Sequence, residues 1–189
     1  MVEKTKYYWD ACAWIALIQQ EEGRFDRLKY LIEQAQSGDV EIWTSNFTLA
    51  EVYKRPLTKK LAKELPPDKD SEFEAYILQS FVTRVQVDYD VGTCARTLLR
   101  KYPTIVKPQD GIHVATALLN NVDELHTFDH ENLIDLSGKI ERLDGKSLKI
   151  CPPPEPPKPA EPAEPPKTPM EEFIDESKAT DAQRASGST

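Results

Sequence analysis

The chain has 189 residues and a formal net charge of −8, with 15 prolines and three cysteines. One ordinary domain fits that length, and the acidity excludes a broadly basic nucleic-acid-binding body, so any polynucleotide would be held by local patches and by metal. Cys12, Cys94 and Cys151 are odd in number and lack CxxC or Cys/His spacing, which points to reduced thiols rather than a disulfide framework or a zinc site. The N-terminus is too polar for a signal peptide, and the apolar run Ala11–Ile18 is too short for a membrane helix. A soluble cytoplasmic protein without membrane contact is expected.

In chain order, Lys6–Trp9 reads as a β-prone aromatic strand that ends at Asp10, followed by a short apolar helix over 11–19. From 24 to 36, Phe25, Leu28, Leu31, Ile32 and Ala35 recur at helical spacing, and Ser37-Gly38-Asp39 stops that helix. Val40–Thr44 alternates like a strand, and Ser45 or Asn46 can cap a helix from Phe47 to Arg55, ended by Pro56. A basic helical stretch over 57–65 and a helix over 70–83 are expected next, then a third strand over 85–87. A helix over 90–101 precedes Pro108, which suits the first turn of a helix over 109–121. Strands over 124–127 and 147–150 complete the pattern. Strands alternating with helices imply parallel βα units packed as helix, sheet, helix: a three-layer α/β/α fold.

Ten of the 15 prolines lie between Pro152 and Pro169. Residues 1–150 therefore read as the folded domain, and 151–189 as a proline-rich, disordered tail that begins as a stiff polyproline spacer. A partner-binding helix around Met170, Phe173 and Ile174 is the alternative for the tail's end.

Four acids stand in apolar settings: Asp10, Glu51, Asp110 and Asp129. Each falls at a strand end or in an early helical turn, the sheet edge where ligands gather in open α/β folds. Taken singly, each has an ordinary explanation. Asp10 and Asp129 suit helix caps or surface charges, Glu51 suits a capping interaction after Ser45 and Asn46, and Asp110 suits the positive end of its helix. Brought together they would repel one another, and a hard divalent cation such as Mg2+ or Mn2+ would remove that cost while activating water.

The segments Tyr8–Leu17, Thr44–Val52, Asp110–Ala117 and Thr127–Asp129, in this order across residues 5–150, resemble the PIN-domain family, especially its VapC-type ribonucleases. The resemblance implies a compact α/β/α fold, Mg2+- or Mn2+-dependent cleavage of RNA, homodimers, and often an antitoxin partner. Asp10, Glu51, Asp110 and Asp129 match the family's acidic positions, as catalytic metal ligands, and Ser45 and Thr127 match nearby hydroxyl positions. Cys12 stands where many members have Asn or Ser, and Gly111 where Ala is usual.

Lys54, Arg55, Lys59 and Lys60, with Lys63, could hold RNA phosphates or simply form a solvated face. His113 and His130 adjoin two of the acids and could exchange protons, though packing or surface roles serve equally. The leading reading is a metal-dependent endoribonuclease, possible toxin of a toxin–antitoxin pair. The competitors are a non-catalytic PIN-fold interaction module that uses the tail, a receiver-type phosphoacceptor, and a phosphatase with an Asp nucleophile. Cys12 replaces the second acid a phosphatase wants, and the paired early acids of a receiver are absent.

Overall fold

Tyr8 and Trp9 are adjacent in sequence and both fully buried, yet they belong to different hydrophobic clusters. A strand sends successive side chains to opposite faces, so a sheet covered on both sides buries neighbours in this divided way. The computed structural model describes residues 4–52 and 67–157. In it, β1 (Thr5–Trp9), β2 (Val40–Ser45), β3 (Val82–Val85), β4 (Glu124–His126) and β5 (Lys149–Cys151) form one parallel sheet in the order β3-β2-β1-β4-β5. Tyr7 lies opposite Ile42 on one side and Glu124 on the other, which makes β1 central.

Helices cover both faces, giving the three-layer α/β/α fold. On one side, α1 (Ala11–Ile18), α2 (Phe25–Ser37) and α4 (Pro67–Ile77) bring Trp14, Leu28, Leu31, Phe73 and Ile77 against Trp9 and Ile42. On the other, α5 (Tyr89–Lys101) and α6 (Pro108–Leu119) close Val91, Leu98, Val114 and Leu118 over Tyr8 and Leu125. Each large apolar side chain withdrawn from water contributes roughly 1.5–3 kcal/mol, and Trp9 and Trp14 add an edge-to-face contact at 5.0 Å.

Local signals act as their chemistry requires. The α2 stripe buries Leu28, Leu31, Ile32 and Ala35, and Gly38 then turns left-handed at φ 84° to end the helix, its N–H donating to Ala35 O. Asp88 caps α5 by accepting from Val91 N at 3.0 Å. Where α6 passes α5, Gly111 has no room to spare: a Cβ there would meet Leu99 Cγ at 3.0 Å. Leu99 thus fills the space an alanine would use.

Several boundaries differ from the sequence reading. The helix expected to reach 83 stops at Ile77, and β3 occupies Val82–Val85 rather than 85–87. Pairing with β2 decides this, because Val82 lies opposite Ile42 and Val85 opposite Ser45, while Arg84 donates to Ile77 O and closes the helix end. Short α3 (Thr48–Glu51) ends at Val52, whose backbone is extended; Lys54, Arg55, Lys59 and Lys60, and the helix expected over 57–65, lie outside the described residues. Strand β5 includes Cys151, and Arg27 then donates to Pro153 O and pairs with Glu155. Pro157–Thr189 form a separate unit, of which 158–189 lie outside the described residues. No helix among the described residues is long and apolar enough to cross a membrane.

Candidate active site

From β1 the sheet grows through β2 to β3 on one side and through β4 to β5 on the other. Connections therefore diverge at the C-terminal ends of β1 and β4, the place where open α/β sheets leave a crevice for ligands. Asp10 leaves β1 there, and Thr127–Asp129 leave β4.

Asp10 is almost wholly buried and caps α1, its Oδ1 accepting from Ala13 N at 3.0 Å. Burial pushes its carboxyl above the usual aspartate range; His113 and hydrogen bonds from Thr127 and Ala13 oppose this, while Glu51 adds repulsion. Thr127, fully buried, serves both acids at this corner, because its Oγ1 also accepts from Asp129 N at 3.0 Å. Ser45 acts more locally. Its Oγ accepts from Phe47 N at 3.1 Å and starts the turn that carries Glu51.

Glu51 ends α3 and meets His113 Nε2 at 2.6 Å, while His113 Nδ1 meets the Tyr8 hydroxyl at 2.8 Å. A carboxylate oxygen accepts, so Nε2–H donates to Glu51, while Nδ1 bonds the Tyr8 hydroxyl. His113 is buried, and its second bond runs into the core beneath β1. The imidazole therefore holds Glu51 at a fixed place, a role that helical adjacency to Asp110 does not reveal. His130 is exposed.

Asp110 lies in the first turn of α6. Its carboxyl is pushed up to about 6, chiefly by burial, with Asp129 and Asp10 adding repulsion against the attraction of Lys107 and His113. Its Oδ2 is buried with no hydrogen-bond partner among the described residues. Asp129 is better served. Burial pushes it up, but the side chain and backbone of Asn132, with Lys107, outweigh that and hold it below its usual range. Asn132 Nδ2 reaches both carboxylate oxygens, at 3.1 and 3.0 Å, and Lys107 Nζ lies 3.8 Å from Oδ2. Cys12, an exposed residue in the first turn of α1, is pushed up to about 12 by partial desolvation and then by Asp10, Asp129 and Asp110.

The structure thus brings Asp10, Glu51, Asp110 and Asp129 into one electrostatically linked corner. They are spread more widely than a closed ligand cage, since the one described group of three whose ligand atoms all lie within 4.8 Å is Glu124, His126 and Cys151. A loose all-oxygen set suits Mg2+ or Mn2+, which keep several waters and take few direct carboxylates. The orphaned Asp110 Oδ2, beside like charges, is an atom that a cation would satisfy. Two supports were missed in the sequence: Asn132, whose spacing from Asp129 is that of a side-chain turn, and Lys107, which carries no such signal.

The fold is similar to three solved toxin-system structures. Mycobacterium tuberculosis VapC20, a sarcin-ricin loop cleaving toxin, matches with a TM-score of 0.50 and 19% identity over 65% of this chain and 89% of that one. A toxin–antitoxin complex from Klebsiella pneumoniae gives 0.50 and 21%, over 79% and 99% of the two chains. VapBC2 of Rickettsia felis, bound to a promoter DNA fragment, gives 0.50 and 18%, over 77% and 98%. At such identities the likeness speaks for the fold alone. No curated protein matches the sequence. The PIN domain family model matches residues 7–139, which span all four acids and the sheet from β1 to β4, and the chain belongs to the PIN-domain family.

Proposed function

We propose that this protein is a divalent-metal-dependent endoribonuclease that hydrolyses RNA phosphodiester bonds, acting as the toxin of a toxin–antitoxin pair. The observation that carries the reading is the strained acidity of the crevice: Asp10 and Asp110 are both held above their usual range by burial, and Asp110 keeps a buried oxygen without a partner. Burying carboxylates in this way, with like charges beside them, costs folding energy, and such costs gather where function uses them.

In this proposal Asp10, Glu51, Asp110 and Asp129 hold Mg2+ or Mn2+ directly or through water. When bound, the ion would supply a water of lowered pKa and would neutralise charge developing at phosphorus. Thr127 orients Asp10, His113 fixes Glu51, and Asn132 fixes Asp129. Lys107, more than half exposed beside Asp129, offers a cation to the incoming phosphate. Lys54, Arg55, Lys59 and Lys60, basic residues that follow Glu51 in sequence, are further candidates for holding RNA phosphates. The net charge of −8 makes such local patches necessary. The toxin–antitoxin neighbours support an antitoxin protein as partner, and a second copy of the chain is part of the proposal as a further one.

The test is incubation of the purified chain with total RNA, with Mn2+ and with chelator, followed by mapping of the cut ends. Discrete cuts that require the metal and disappear in Asp10→Asn are expected. Intact RNA under all conditions, or cleavage that survives both chelator and Asp10→Asn, would refute the assignment and leave an interaction module.

A further inference from the structure

Glu124, His126 and Cys151 were not singled out by their spacing in sequence, yet the sheet assembles them. Glu124 and His126 are two apart on β4 and so share a face, and register places Cys151 beside His126 and Lys149 beside Glu124. Their ligand atoms all lie within 4.8 Å of one another. His126 Nε2 is 3.1 Å from Glu124 Oε2, and Cys151 Sγ is 3.5 Å from the same oxygen. Zn2+ binds nitrogen and oxygen at about 2.1 Å and sulfur at about 2.3 Å, so tetrahedral ligands stand about 3.4 Å apart for N and O and about 3.6 Å for S and O. The side chains already stand at nearly those separations.

We propose that Glu124, His126 and Cys151 form a second metal site, distinct from the acidic crevice, that takes Zn2+ with a water in the fourth position and clamps β5 onto β4. The donor set selects the ion: imidazole and thiolate suit Zn2+ and are poor ligands for Mg2+. The surroundings prepare Glu124 and His126, while burial and then Glu124 push the Cys151 thiol up to about 11, so the ion itself must displace that proton. The Glu124 carboxyl is held down at about 2, first by its hydrogen bond with His126 and further by Lys149, despite the opposing effect of burial, so it is ionised at neutral pH. Burial holds the His126 imidazole below its usual value and hence neutral, the form that binds metal. The Tyr7 ring stacks on that imidazole at 4.7 Å and fixes its plane. Lys149 Nζ engages Glu124 Oε1 at 2.8 Å, which leaves Oε2 turned toward the other two donors. Binding breaks the Nε2–H···Oε2 and S–H···Oε2 contacts: the imidazole changes tautomer, its proton moving to Nδ1, which has no other partner among the described residues, while the thiol proton leaves to solvent and the sulfur ligates as thiolate. One ion would then join the two strands beside Thr127, whose N–H already donates to Cys151 O.

The experiment needs no RNA and is independent of the nuclease reading. The full chain is stripped with chelator and titrated with Co2+, a spectroscopic stand-in for Zn2+. A thiolate-to-cobalt charge-transfer band that saturates at one equivalent is expected. It should be displaced by Zn2+, withstand excess Mg2+, persist in Asp10→Asn and Cys12→Ser, and vanish in Cys151→Ser. Glu124→Gln, at a partly exposed position, provides a second variant and should weaken Zn2+ binding at least ~10-fold. Absence of the band in the parent chain, its survival in Cys151→Ser, its loss in Cys12→Ser, or unchanged Zn2+ affinity in Glu124→Gln would overturn the proposal.

Discussion

Asp110→Asn should make the metal-free protein more stable at neutral pH, although it removes a proposed ligand. The carboxyl lies at about 6 in the folded chain against an ordinary 3.8, with burial the main cause. A raised value means that the folded state prefers the protonated form. The stability linked to this group is intact below 3.8, is lost as pH rises to about 6, and stays lost above. The full gap corresponds to roughly 3 kcal/mol at about 1.4 kcal/mol per pH unit. Asp110 is partly open to solvent, and screening reduces the figure to about 1–2 kcal/mol. Asparagine is neutral throughout, so the variant escapes the loss. Urea unfolding in chelator should show variant and parent nearly equal at about pH 4, and the variant ahead by about 1–2 kcal/mol above about pH 7. Adding Mn2+ at neutral pH should raise the parent's melting temperature more than the variant's, because only the parent regains its lost stability by binding. A variant less stable than the parent at neutral pH, or a difference that does not change between acid and neutral conditions, would refute the account of a carboxyl penalised by burial and neighbouring acids.

His113→Ala leaves both the Tyr8 hydroxyl and Glu51 without their partner and opens a cavity, so a loss of about 2–4 kcal/mol is expected in denaturant unfolding; under about 1 kcal/mol would mean that Glu51 is not held through this ring. Gly111→Ala gains up to about 1 kcal/mol of helix propensity but forces Cβ to 3.0 Å from Leu99 Cγ, and overpacking of about 1–3 kcal/mol makes the net change destabilising. In a Leu99→Ala background the same substitution should turn stabilising, which thermal melts of the four proteins would show or deny. Asn132→Ala frees both oxygens of Asp129, and the Mn2+ concentration for half-maximal RNA cleavage should rise by about 10-fold with the fold intact; an unchanged metal dependence would remove Asn132 from the site.

The period-two burial of Tyr8 and Trp9, the helical stripe of α2 and the stop at Gly38 follow from side-chain chemistry that acts over a few residues, and the sequence alone determined them. The corner of acids was legible for a related reason: parallel βα units must end their strands on one edge, so Asp10 and Asp129, each following a strand, had to share it. What local chemistry could not decide was anything set by pairing between distant strands. The start of β3 at Val82 came from its ladder with β2, against a helical pattern running to 83. Glu51 is held by a histidine 62 positions away, and the grouping of Cys151 with Glu124 and His126 exists only because β5 lies beside β4 in that register. Sequence determines which residues prefer to be strand, helix, buried or charged; only the folded sheet decides which of them become neighbours, because contact across strands depends on register, which no short stretch of chain contains.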